Sequence, residues 1–380
     1  MVPVRAPEDD GPMPTRDRSW LVRRRLATQR LSGAPLPRAG DVVRSLTAMQ
    51  AQDAPMAAWS LGLRSRHRTY AAVLDELRRG TVLRTHVLRP TWHLVPAEDL
   101  RWLQRLTGAK VEAGMAARHR QLGLDGPSLD RAVGAVLALV AGGGHPTRSE
   151  LGQGLLGPGL APGLPVTGER LSHVLLVAEI RGLLCSGPPR GAEHTYALVD
   201  EEVARGPLDT LDAPEAATLL VRRFFAGHGP AGERDLARWC TLTLTQIRAA
   251  LAELAGELEA VEVEGHTLWF DPLVPARTAR RHAAYLVPVF DEAFLTYSDL
   301  GFPRSRPELP RVGLWARQGG GVVVADGRDI GMFARTTTAD GVTVTLRPDH
   351  RWTPSERDAA AQAADRLGAF LGRDVTLRWD

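Results

Sequence analysis

The 380-residue sequence contains only two cysteines, Cys185 and Cys240, far apart and with no C-x-x-C spacing. That excludes a disulfide framework and a thiolate zinc site, and sets a reduced, cytoplasmic environment as the expectation. No uninterrupted apolar run approaches the roughly 18 to 20 residues of a membrane span, and the N-terminus mixes both charges with proline rather than carrying an apolar signal core. Residues 1–18 read as a disordered tail. Of 47 basic residues only Lys110 is a lysine, which leaves almost nothing for imine chemistry. Phosphate-binding loops, dinucleotide fingerprints, H-E-x-x-H and G-x-S-x-G are all missing, so nucleotide hydrolysis, dinucleotide redox chemistry, zincin proteolysis and α/β-hydrolase chemistry have no support. The eleven histidines show no metal-ligand spacing, His86 and His93 being the nearest to a pair. No metal and no cofactor is expected.

What is present is a charge split. Residues 1–120 hold 21 basic against 11 acidic side chains, so the overall net charge of +3 hides a positive front and a negative remainder. Such a distribution can steer a polyanion to one face. An arginine-rich composition of genomic origin would leave the same mark.

A pattern of helices followed by a short hairpin repeats three times, the signature of a winged helix. In the first unit, Ser19 and Asp41 are candidate caps for helices through LVRRRLATQRL and VVRSLTAMQ, Pro55 ends the second, and TYAAVLDELRR forms a third. TVLRTHVLRPTWHLV then reads as two strands around Arg89-Pro90, the wing. The second unit runs from SLDRAVGAVLALV to the hairpin LLCSGPPRGAEHTYALV, and the third from APEAATLLVRRFFAG to ELEAVEVEG with HTLWF. His145-Pro146 and His228-Gly229-Pro230 occupy equivalent turns. From about Tyr285 strands dominate. The expected fold is mainly α with β hairpins (α+β): winged helices over 19–127, 128–210 and 211–280, then a small β-rich domain over 281–380, each with its own core.

The chemically informative stretch is LTAMQAQDAPMAAWSLGLR, where Gln50 and Gln52 stand two residues apart. In extended or helix-end backbone both amides point to one side and can reach one target. Taken alone, the pair equally describes two solvent-facing residues at a fraying helix end.

The runs DVVRSLTAMQAQDAPMAAWSLGLRSR and VLRTHVLRPTWHLVPAEDLRWLQRLTG resemble the winged-helix DNA glycosylase family of the AlkZ and YcaQ type. GHGPAGERDLARWC, LVPVFDEAFLTYSD and VVVADGRDIGMF are similar too, so the likeness covers about residues 19 to 335. It implies that Gln50 and Gln52 match a catalytic Gln-x-Gln or Gln-x-Asp motif in the first winged helix. It also implies a substrate: double-stranded DNA carrying N7-alkylated purines, including bulky natural-product adducts or interstrand crosslinks. N7 alkylation places a positive charge on the purine, so the base leaves without prior protonation. The site then needs only to place a water near C1′ and to complement an oxocarbenium-like sugar. Two amides suffice for both tasks. Gln52 would chiefly orient the water, with Gln50 sharing it or holding the deoxyribose. Asp53 is either a rival base or the start of the turn before Pro55.

Candidate DNA contacts are Arg44 and Arg64 near the motif, Arg84 and Arg89 on the wing, Trp92 and His93 after it, and Arg317 and Gln318 in the stretch WARQGGG. Trp92 is read either as an aromatic wedge or as core. Where the family carries an Arg-Pro pair before VVVADG, this sequence has Gly319 to Gly321. Asp291-Glu292 reads as a paired-carboxylate site or as a brace between the last domain and the others. A monomer is expected. The alternative to catalysis is a winged-helix transcription regulator.

Overall fold

The computed structural model describes residues 13–124, 126–156, 167–191, 193–275, 283–298, 300–306, 319–338 and 341–380. The chain mixes helix and strand, as its periodicities require. Helix α1 (Arg18–Thr28) starts two residues earlier than Ser19 suggests: Asp17 is the cap, its carboxylate accepting the Trp20 N–H at 2.7 Å, while the Ser19 hydroxyl donates to the same carboxylate.

The first repeating unit comprises α2 (Ala39–Leu46), β1 (Met49–Gln50), α3 (Ala54–Arg64), α4 (Tyr70–Arg78) and the hairpin β2 (Val82–His86) with β3 (Trp92–Pro96). Strand β1 pairs with β3 on the side away from β2, giving the order β1-β3-β2. Helix α2 starts at Ala39, with Asp41 bonding back to the Arg38 N–H rather than capping from in front. Pro55 does not end this stretch but begins α3. At the first turn of a helix proline removes only an N–H that has no intrahelical partner, and Asp53 caps the turn through the Met56 N–H.

A 22-residue helix, α5 (Leu100–Gln121), connects to the second unit and carries Lys110 at mid-length. That unit comprises α6 (Gly126–Val140), α7 (Arg148–Gly154), α8 (Gly168–Ile180) and the hairpin β4 (Leu184–Ser186) with β5 (Tyr196–Leu198). After the one-turn α9 (Val199–Glu202) comes the third unit: α10 (Ala213–His228), α11 (Glu233–Trp239), α12 (Leu244–Glu253) and the hairpin β6 (Glu259–Val263) with β7 (His266–Phe270). The repeat extends to one bridge per unit. Where β1 pairs with β3 in the first, Thr147 pairs with Thr195 in the second and Ala231 with Trp269 in the third, just after the His-Pro and His-Gly-Pro turns.

The C-terminal region forms a five-stranded sheet in the order β12-β11-β10-β9-β8. Its strands are β8 (Ala284–Pro288), β9 (Gly321–Ala325), β10 (Arg328–Thr337), β11 (Val342–Pro348) and β12 (Val375–Trp379), all antiparallel except β11 with β12. Between β8 and β9 lies the short α13 (Glu292–Leu295), and α14 (Pro354–Leu371) covers the sheet with an alanine-rich face. This sheet does not have a core of its own, contrary to the sequence expectation. Val42, Leu46, Met49 and Trp59 of the first unit pack in one continuous cluster with Val322, Phe333, Leu367 and Phe370. Trp59 meets Phe370 edge-on at 5.4 Å and donates its indole N–H to the Leu286 carbonyl at 2.8 Å. The first unit and the last sheet are therefore one packed body, and β1, which carries Gln50, lies at their junction.

Candidate active site

Gln50 ends β1 directly opposite His93 of β3, and Gln52 follows in a bend just before α3. Gln50 is buried and Gln52 exposed. Arg89 in the turn between β2 and β3 holds one amide, and Trp92 at the start of β3 contacts the other. The Arg89 guanidinium donates from Nη2 to Gln50 Oε1 at 2.6 Å, and the Trp92 backbone N–H reaches Gln52 Oε1 at 3.4 Å. The two contacts differ in kind. The first is a short, charge-assisted bond that fixes which end of the Gln50 amide faces inward. The second is long and weak, so the Gln52 oxygen stays available to another donor. With its oxygen committed to Arg89, Gln50 presents its NH2, which has no partner among the described residues.

Beneath the pair lies Glu292, only 1% exposed, whose Oε1 accepts the Gln50 backbone N–H at 2.8 Å. Its Oε2 accepts the Trp239 indole N–H at 2.8 Å and the Thr296 hydroxyl at 3.2 Å, and sits 3.4 Å from His228 Nε2. Burial acts to raise its pKa, but His228, the Gln50 N–H and Arg89 together hold it down at about 2. Burial likewise lowers the pKa of Arg89, with the Glu292 charge acting in the opposite sense. Asp53 caps α3 and lies 3.7 Å from Arg335 Nη2, which β10 brings across from the last sheet. A Cβ on Gly319 would stand 3.2 Å from Asp53 Oδ2, so the glycine stretch preceding β9 borders the motif.

The remaining sequence candidates separate clearly. Arg64 is no phosphate ligand: it is fully buried, forms a two-pronged ion pair with Asp291 at 2.7 Å on each prong, and donates further to the Gln29 and Ser60 carbonyls. Asp291 and Glu292 thus brace the last region against the first and third units, the second of the two readings offered by the sequence. His93 is also no DNA contact. It is fully buried, donates from Nδ1 to the Thr91 carbonyl at 2.8 Å, and burial with Arg89 beside it lowers its pKa to about 3. Arg84 is half-buried, donates from Nε to the Ala51 carbonyl at 3.1 Å and stacks over Trp92 at 4.3 Å. Trp92 is neither plain core nor a projecting wedge: it is partly exposed, with Arg84, His86 and His194 against its ring. Arg44 is exposed, and its guanidinium is shared between Glu98 at 2.6 Å and Asp41 at 3.5 Å. Arg317 and Gln318 lie outside the described residues.

Sequence reasoning gave Glu292 no place at Gln50 and overlooked Arg335 altogether. Both reach the motif across more than 240 residues of chain, and nothing local marks either. Among the described residues there is no cluster of three or more histidine, cysteine or carboxylate side chains able to hold a metal, and no helix long and apolar enough to cross a membrane.

A profile of the family "DNA glycosylase AlkZ-like" matches residues 43–370, and the chain belongs to that family; its activity is accordingly that of a DNA glycosylase. It is 27% identical over 332 residues to a Streptomyces sahachiroi protein named interstrand DNA cross-link repair glycosylase, covering 83% of this chain and 86% of that one. The solved structure of Streptomyces sahachiroi DNA glycosylase AlkZ has the same fold, with a TM-score of 0.74 at 23% identity over 96% of this chain and 100% of that one. Family membership leaves the regulator alternative without support.

Proposed function

We propose that the chain is a monofunctional glycosylase that hydrolyses the N-glycosidic bond of cationic, N7-alkylated purines in double-stranded DNA, in repair or self-resistance. The observation that carries this reading is the asymmetry of the two amides: buried Gln50 has its oxygen locked by Arg89, while Gln52 is exposed with its oxygen held only by one long contact.

The chemistry uses that asymmetry. The C1′–N9 bond breaks with its electron pair passing to the purine, which neutralises the N7 cation. A water oxygen then bonds to C1′ and releases a proton to solvent. Gln52 accepts from that water and aligns it, and Gln50 donates to the deoxyribose. Neither amide is a base, and none is needed once the lesion supplies its own leaving group. The only lysine is on α5 with its amine donating to the Thr241 carbonyl, so a Schiff-base lyase step has no lysine at the motif.

We read the three repeating units as winged helices over 19–127, 128–210 and 211–280, with 281–380 completing the cradle. Arg44, Arg84, Trp92 and the Arg317–Gln318 stretch are the DNA contacts of this reading, and Arg89 is reassigned from phosphate to Gln50. A lesion tied to both strands cannot rotate into a closed pocket, so bulky adducts and crosslinks are taken at the duplex edge rather than by flipping. The name of the Streptomyces sahachiroi relative makes crosslinked DNA the first bulky substrate to try. The protein works as a cytoplasmic monomer in this account.

The test incubates the protein with DNA containing 7-methylguanine and, separately, crosslinked DNA, then treats with alkali to reveal abasic sites. Release by wild type, and its loss in Gln52→Ala with DNA binding retained, is expected. Equal release by both proteins refutes the role given to Gln52.

A further inference from the structure

The glycosylase reading has no use so far for the carboxylate buried behind the glutamines. Glu292 comes from the C-terminal region, yet its four nearest polar partners belong to β1, to the end of α10, to α11 and to its own next turn. Joining these elements would need only an apolar side chain of similar volume, and burying a carboxylate is costly unless it is fully compensated. What the carboxylate adds is specific to one residue. Oε1 fixes the backbone N–H of Gln50 at 2.8 Å, and the Glu292 charge favours the charged form of Arg89, whose guanidinium fixes the side chain of the same Gln50.

We propose that Glu292 is a positioning residue of the reaction, acting through the Gln50 main chain and through Arg89 to hold the Gln50 amide with its NH2 toward the DNA. The inference rests on the reading of Gln50 and Gln52 as the reacting site and deepens it. Glu292 is 1% exposed and acts only through its neighbours.

Glu292→Gln preserves the volume and one acceptor oxygen. Two of the three hydrogen-bond donors, the Trp239 indole and the Thr296 hydroxyl, gather at Oε2, so the amide oxygen turns to them and the amide NH2 faces the Gln50 N–H. Single-turnover release of 7-methylguanine at saturating protein is expected to fall about 10- to 100-fold with Kd for DNA changed less than about twofold, the scale of one lost charge-assisted contact. In a Gln50→Ala background the same substitution lowers release less than about twofold, because the residue it acts through is gone. Glu292→Asp, which keeps the charge, recovers part of the rate and carries the same cycle if the glutamine variant does not fold. Losses that multiply across the two backgrounds, or a rise in Kd that accounts for the rate, overturn the proposal.

Amide hydrogen exchange supplies a readout independent of activity. The Gln50 N–H is expected to exchange at least about tenfold faster in Glu292→Gln than in wild type, with β8 to β10 unchanged. Unchanged exchange at Gln50 overturns the proposal. Wild type that releases no base from any cationic lesion refutes the glycosylase reading instead, and the exchange result then decides alone whether Glu292 anchors Gln50.

Discussion

Replacing Arg89 separates two roles that look identical in a list of basic residues. As a phosphate ligand Arg89 would neutralise one DNA charge, and Arg89→Met would reduce the slope of log binding constant against log salt by about 0.9. The structure instead directs Nη2 at Gln50 Oε1 at 2.6 Å. A hydrogen bond from a charged donor is worth about 1.5 to 3 kcal/mol, which corresponds to about a 10- to 150-fold loss of rate if its function is to orient the reacting amide. Arg89→Lys keeps the positive charge but shortens the reach and removes the fork, so it separates charge from geometry. The assay is single-turnover release of 7-methylguanine together with a salt titration of binding. Slow release by both variants with an unchanged salt slope is expected. A shallower slope in Arg89→Met together with wild-type release by Arg89→Lys would refute the reasoning.

Two further outcomes follow from buried charges. Asp291→Ala leaves the fully buried Arg64 without its ion pair and removes the cap of α13; denaturant unfolding should show a loss of about 3 to 5 kcal/mol, and a loss below about 1 kcal/mol would contradict the buried geometry. Stability should also decline in acid, in two stages. His93 and His194, both held by burial at a pKa of about 3, stay neutral when folded but bind protons when unfolded below about pH 6.5. Each therefore costs about 2 kcal/mol by pH 5. Glu292, held at about 2, contributes stability that is complete above its unfolded pKa of 4.5 and is lost as pH falls from there toward 2. A urea midpoint unchanged from pH 7 to pH 4.5 would contradict the histidine assignments.

Periodicity carried the hairpins and the threefold repeat of the fold, because alternating strands bounded by Gly and Pro leave a local trace. One helix that local signals hid was α3, where Pro55 reads as a terminator but occupies a first-turn position at which proline is harmless. The shared core of the first unit and the last sheet left no trace either, since Trp59 and Phe370 meet across more than 300 residues. At the candidate site, the two glutamines were singled out through a motif, and the residues that contact them left no local mark. An arginine at the end of a helix looks solvated whether or not an aspartate 227 residues away encloses it, which is why Arg64 read as a phosphate contact. His93 failed for a different reason: on β3 it points inward opposite Gln50, and a histidine in a short strand does not declare its face.

The central claim is that the lesion's own positive charge activates the leaving base, so that two uncharged amides suffice. Duplexes differing only in carrying 7-methylguanine or its neutral 7-deaza isostere test this most directly under identical single-turnover conditions. The account predicts release of the cationic base and no detectable release of the neutral one, with both duplexes bound alike. Comparable release of the two would contradict it.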